Sequence, residues 1–152
     1  MILAMGVFYG GVAQIIVGVM EWKKGNTFGT TAFTSHGSFW LSFVGIFTFP
    51  AMGLCEKASG TGIIAYLIMW GIFTAVVFVG TLPTNRALQF VFGSLAVLFF
   101  LLAAGDYTGS AALKTFTGWA GVVCGASAIY AALAQVLNES LGKTVLPLGA
   151  VK

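Results

Sequence analysis

Charged side chains divide this chain into five uncharged stretches, each long enough to cross a bilayer. None occurs from Met1 to Met20, from Gly25 to Cys55, from Ala58 to Asn85, from Ala87 to Gly105, or from Thr115 to Asn138. A bilayer's hydrocarbon core is about 30 Å thick, and roughly 20 helical residues span it. In lipid every backbone N–H and C=O must be satisfied within the segment, so such stretches fold as α-helices. Charged residues make up 7% of the chain, where an average soluble domain has about 25%. An all-α integral membrane protein follows, with room for about five or six helices.

Five spans are expected in one transmembrane domain, residues 1–152, with no soluble appendage. They run over about 2–20, 28–54, 63–82, 88–104 and 116–137. The first closes on Glu21-Trp22-Lys23-Lys24 and the second on Glu56-Lys57. Pro83 and Arg86 close the third, Gly105-Asp106 the fourth, and a polar tail from Asn138 to Lys152 follows the fifth. The turn after the first span, the turn after the third and the tail carry Lys23, Lys24, Arg86, Lys143 and Lys152, against Lys57 and Lys114 opposite. That bias places the C-terminus in the cytoplasm and Met1 outside. The apolar run begins directly at Met1 with no basic segment ahead of it, and its lysines follow it, so it is no signal peptide. A leading helix missing from the front of this chain would return both termini to the cytoplasm and make six spans.

The net charge of +3 arises from seven basic and four acidic side chains. It reports membrane topology and not nucleic-acid binding. Cys55 and Cys124 lack metal-ligand spacing and read as inert thiols. No span holds paired carboxylates, one histidine cannot supply a Ser-His-Asp set from scattered acids, and there is no phosphate loop. Enzyme activity, a metal site and a cofactor are therefore not expected. Gly6-x-x-x-Gly10 and Gly121-x-x-x-Gly125 match the small-residue pattern of helix contacts in membranes.

One segment breaks the apolar pattern. Residues 25–40 hold Asn26, Thr27, Thr30, Thr31, Thr34, Ser35, Ser38 and the only histidine, His36. Polar groups at membrane depth are costly unless they face protein or water. On a helical wheel Thr27, Thr30, Thr31, Thr34, Ser35 and Ser38 share an arc of roughly 140°. The opposite arc carries Gly29, Ala32, Phe33, His36, Phe39 and Trp40. Two readings of the hydroxyl stripe stand side by side: bonding back to helix carbonyls, or lining a polar route for a small solute. His36 is either a core histidine with one satisfied partner or a constriction residue that donates to an anion and titrates near neutral pH. Gln14, deep in the first span, needs a partner or faces the route. Glu21 and Glu139 sit at span ends as interfacial residues. Asn26 suits a helix N-cap, at a helix end that also attracts anions.

With these residues in view, the chain resembles the acetate uptake transporter family, the YaaH/SatP-like succinate–acetate permeases. The matching runs are Ile2 to Gln14, Lys24 to Trp40, Leu88 to Phe92, Cys124 to Tyr130 and Thr144 to Gly149. The resemblance implies that the five spans correspond to helices two to six of a six-helix protomer. It also implies a homohexamer in the inner (plasma) membrane, with a pathway inside each protomer that moves acetate, related monocarboxylates or succinate with protons. His36 stands where the family has a constriction tyrosine, Leu95 matches a constriction leucine, and Ala128 matches a position tied to substrate size. The family's first helix, with its Asn-Pro-Ala signature and one wall of the route, is absent from this chain. Asn26, Thr27, Thr31, Ser35, Phe33, Trp40 and Gln14 are the further candidates for the pathway. The rivals are a neutral-solute channel for urea, ammonia or an amide, and a membrane sensor or assembly subunit that transports nothing.

Overall fold

The computed structural model of the chain describes residues 2–151; Met1 and Lys152, both invoked for topology, lie outside the described residues. The fold is all-α. Five helices follow one another: α1 (Ile2–Lys23), α2 (Thr27–Ala51), α3 (Gly60–Thr81), α4 (Arg86–Thr108) and α5 (Ala111–Leu141). Among the described residues the one extended pairing is an antiparallel bridge between Asn85 and Ala150. Helices α1, α3, α4 and α5 are long and apolar enough to cross a membrane, which makes this a multi-pass membrane protein. Helix α2 is long enough at 25 residues and carries no charged side chain. Its hydroxyls and His36 keep its mean hydropathy below that of the other four.

Helix ends fall a few residues from those expected, for local reasons. Met52 to Leu54, expected in the second span, form a turn instead: Met52 N–H bonds back to Thr48 O and Leu54 N–H to Phe49 O, at 3.1 and 3.0 Å. Pro50 in the last helical turn has no N–H to continue the ladder. Helix α4 runs on to Thr108, and α5 starts by Ala111, where Ser110 Oγ accepts from Leu113 N–H at 3.3 Å. Lys114 reaches back across this short link to Asp106 at 3.0 Å. At 31 residues α5 is ~46 Å long and outreaches the hydrocarbon core.

The chain forms two compact units, one up to Ser59 and one from Gly60 onward. The first is an antiparallel pair of α1 and α2. Within α1, Gly6–Ala13 is π-helical, an i→i+5 pattern that turns Gly6, Gly10 and Gly11 toward α2. A Cβ at Gly10 would stand 2.8 Å from Trp40 Cγ, and one at Gly11 2.4 Å from Leu41 Cδ2. Further along, a Cβ at Gly18 would meet Thr34, and one at Gly37 would meet Ile15 and the Gly11 carbonyl. The two backbones therefore approach closely through glycine. The contact expected at Gly6 and Gly10 is real, although Gly125 on α5 faces open space within the chain.

The second unit packs α4 between α3 and α5. Leu67, Gly71, Thr74, Val77 and Thr81 recur at three- and four-residue spacing and are all buried on α3. Gly71 admits the Phe100 ring of α4, whose Cε1 would lie 2.9 Å from an added Cβ. Cys124 is buried on α5 with its Sγ 3.9 Å from Val91 O, and both cysteines are unbridged.

Candidate permeation site

The entrance to α2 is a turn built around Glu21. Its carboxylate accepts from Lys24 Nζ at 3.2 Å and from Asn26 Nδ2, while Asn26 N–H bonds to Glu21 O at 3.0 Å. Gly25 takes φ +72°, a left-handed conformation that lets the chain reverse in so few residues. Asn26 is the N-cap, as its position suggested: Oδ1 accepts from Gly29 N–H at 3.0 Å. With its amide on Glu21 and its oxygen on Gly29, Asn26 is committed to the turn. A Cβ at Gly29 would come within 2.7 Å of Asn26 Nδ2, so the turn closes only over glycine.

The hydroxyl stripe separates into two rows. Thr30, Thr34, Ser38 and Ser42, four residues apart, each donate to the carbonyl one turn back, on Asn26, Thr30, Thr34 and Ser38, at 2.7–2.9 Å. These groups are satisfied by their own helix. No hydrogen bond joins the Thr27, Thr31 or Ser35 hydroxyl to another described residue. The reading of hydroxyls bonded back to helix carbonyls therefore describes the first row, while the second row keeps its hydroxyls out of hydrogen bonds among the described residues.

His36 is 5% exposed, on the face of α2 that also buries Ala32, Gly37 and Phe39. Its Nδ1 lies 2.8 Å from Ala32 O. A carbonyl only accepts, so Nδ1 carries the proton of the neutral ring and Nε2 is the acceptor. Gly18 meets Thr34 and Gly10 meets Trp40, which sets the antiparallel register and brings Gln14 level with His36. Gln14 is half-buried, and no hydrogen bond joins its amide to another described residue. Trp40 packs over Gly6 and Gly10 and begins an aromatic row: Phe39–Trp40 at 5.6 Å, Phe39–Phe43 at 5.4 Å and Phe43–Phe47 at 5.2 Å. Phe33 is partly exposed on the helix surface.

Leu95 and Ala128 belong to the second unit. Leu95 is half-buried on α4, and Ala128 is exposed on α5. Gly121 faces Leu98 and Cys124 faces Val91, so Ala128 lies about two turns, or ~10 Å, along α5 from the level of Leu95.

One arrangement escaped sequence reasoning. The tail after α5 folds back and caps α4. Arg86 N–H donates to Gly149 O at 2.8 Å and Ala87 N–H to Leu148 O at 3.0 Å, while Asn85 Oδ1 accepts from Leu88 N–H at 2.8 Å. These are the donors that a helix start leaves orphaned. Asn138 pins the tail: Oδ1 accepts from Val145 and Leu146 N–H at 2.6 and 3.0 Å, and Nδ2 donates to Leu146 O at 2.7 Å. Tyr130 adds a bond to Pro147 O at 2.7 Å. Gly149, at φ +69°, sits so close that a Cβ would lie 2.9 Å from Arg86 Cβ. An asparagine in the last turn of a helix, six residues before a Thr-Val-Leu-Pro-Leu-Gly run, was the available signal.

A helical hairpin with a polar entrance and a buried histidine can be compared with known proteins. The model of the GPR1/FUN34/yaaH family matches residues 1–150. The chain belongs to that family. It is 58% identical to the succinate-acetate/proton symporter SatP of Escherichia coli (strain K12) over 148 residues, which is 97% of this chain and 79% of that one. The solved structure of the bacterial acetate channel SatP superposes with a TM-score of 0.94 at 58% identity, covering 97% of this chain and 82% of that one. A family relative from Saccharomyces cerevisiae, the ammonia transport outward protein 2, is 34% identical over 144 residues, 91% of this chain and 51% of its own length.

Proposed function

We propose that this chain carries acetate and related small carboxylates, including succinate, across the membrane together with protons. The observation that carries the reading is its 58% identity, over nearly the whole chain, to a protein named as a succinate-acetate/proton symporter. The site's chemistry supports it. No lysine or arginine occurs between Gly25 and Cys55, so a bare carboxylate meets no fixed positive charge there. Desolvating that charge is costly, while a neutral acid loses far less. A neutral His36, with its proton on Nδ1 toward Ala32 O, adds no positive charge that would favour an anion over a protonated acid. Thr31 and Ser35 add donors along the helix, and a few weak contacts favour passage over tight binding.

In this reading residues 1–152 form one transmembrane domain of five spans, and His36 and Gln14 lie on a pathway within each protomer. The domain lies in the inner membrane with its C-terminus in the cytoplasm, as the bias of basic residues supports. The protomers assemble as a homohexamer, and the protein is a transporter and not an enzyme.

A neutral-solute route has one observation in its favour, the yeast relative named for ammonia transport. Proteoliposomes holding the purified chain, offered radiolabelled acetate, urea or methylammonium in parallel, separate these readings. Acetate uptake above empty liposomes, with the other two at background, is expected. Uptake of urea or methylammonium alone would transfer the assignment to a neutral-solute channel, and no uptake of any would favour a non-transporting role.

A further inference from the structure

The face of the α4–α5 pair away from Leu95 carries a groove of about 730 Å³ that the transport reading does not use. On α4 its lining follows one helical stripe from Arg86 through Phe90 to Val97, and Phe116, Trp119 and Val123 of α5 form its other wall. All five apolar side chains are more than half exposed. Eleven residues separate Arg86 from Val97, a rise of ~16 Å, about half the thickness of a bilayer's hydrocarbon core. The groove thus runs from one membrane surface to mid-depth, the reach of one leaflet.

Its outer end is cationic. Among the described residues the ion pairs are Lys24 with Glu21 and Lys114 with Asp106, and Arg86 belongs to neither. One of its five guanidinium donors goes to Gln89 Oε1 at 2.9 Å, which steadies the head over the groove's end without neutralising it. The backbone donors of this helix start are already taken by the tail carbonyls, so an anion here must be held by the side chain.

We infer that this groove holds one acyl chain of an anionic phospholipid whose phosphate pairs with Arg86. Leaflet-length apolar walls and a cation at the surface end, without a carboxylate partner among the described residues, match a lipid's two chemistries in order. Trp119 in the wall supplies the readout. The full chain is reconstituted in phosphatidylcholine vesicles containing phosphatidylglycerol, with bromine on the acyl chains of one lipid at a time. The Trp119 signal is the difference between the wild type and Trp119→Phe. The expected result is preferential quenching by brominated phosphatidylglycerol, with relative affinity about five-fold over phosphatidylcholine. Arg86→Gln, eluting as the wild type does, should bring that ratio to one. Equal quenching by both lipids in the wild type would reduce the groove to unselective bilayer contact. A preference that survives Arg86→Gln would remove Arg86 from the site. Absence of quenching would mean that a second copy of the chain covers the groove, and each of these outcomes overturns the inference.

Discussion

The Nδ1 of His36 stands 2.8 Å from the carbonyl oxygen of Ala32, one turn back on the same helix. This bond places the proton of the neutral ring on Nδ1, so Nε2 carries a proton only in the imidazolium. Of the two sequence readings of His36, the one that has it donating to an anion through Nε2 requires the imidazolium. A tyrosine at this position cannot titrate in the same range. His36→Tyr should therefore alter the dependence of initial acetate uptake on pH over about pH 5–8, with membrane expression near that of the wild type. A pH profile identical to the wild type's would leave His36 with a packing role alone.

The two hydroxyl rows of α2 predict opposite outcomes. Thr34 and Ser38 give their protons to their own helix, so Thr34→Val and Ser38→Ala should leave acetate uptake close to the wild-type rate. Thr31→Val and Ser35→Ala remove donors not spent among the described residues and should slow uptake by about two- to ten-fold, the equivalent of one hydrogen bond. Equal effects on both rows, read from initial rates in proteoliposomes, would contradict a polar route along the second row.

Gly18 tests the close approach of α1 and α2. An added Cβ would lie 2.9 Å from the Thr34 backbone nitrogen, which cannot rotate away. Gly18→Ala should destabilise the purified protein by about 1–3 kcal/mol, visible as a lower melting temperature in detergent. Gly60→Ala, which meets open space, should melt as the wild type does. Matching melting curves for the two variants would disprove the glycine contact.

How far the sequence spoke depended on the range of each interaction. The five helices were legible because charges interrupt the apolar runs at membrane-length intervals, and Asn26 was legible as a cap because its partner, Gly29, is three residues away. The outcome for the hydroxyls was half legible. Threonine and serine on one wheel arc are visible, but which of them bonds back depends on side-chain rotamers. Small-residue spacing pointed to Gly6 and Gly10 correctly, yet it also selected Gly125, which touches nothing nearby, and passed over Gly11, Gly18 and Gly37. Spacing identifies small residues and not the neighbour each one admits. The π-helical stretch within α1 has no apolar period of its own in so short a run. The clamp of Asn138 on the tail joins residues seven and eight apart to a helix start more than fifty residues earlier, a distance that local pattern does not cover.

The tail cap can be probed directly. Asn138→Ala removes three bonds to Val145 and Leu146 and leaves their backbone groups to water. Hydrogen exchange at the amides of Val145, Leu146, Arg86 and Ala87 should quicken together, because the tail carbonyls are the acceptors for the start of α4. A loss of about 1–3 kcal/mol in stability is expected. Faster exchange at Val145 and Leu146 with Arg86 and Ala87 unchanged would show that the cap holds without the clamp.

The coupling of a carboxylate to a proton is the central claim, and one measurement tests it most directly. Initial uptake of radiolabelled acetate is followed in proteoliposomes of the purified chain, at one external pH, with and without an inward proton gradient. The account predicts uptake above empty liposomes that rises with the gradient and collapses when a protonophore dissipates it. Uptake by the chain that is indifferent to the gradient and the protonophore would contradict it.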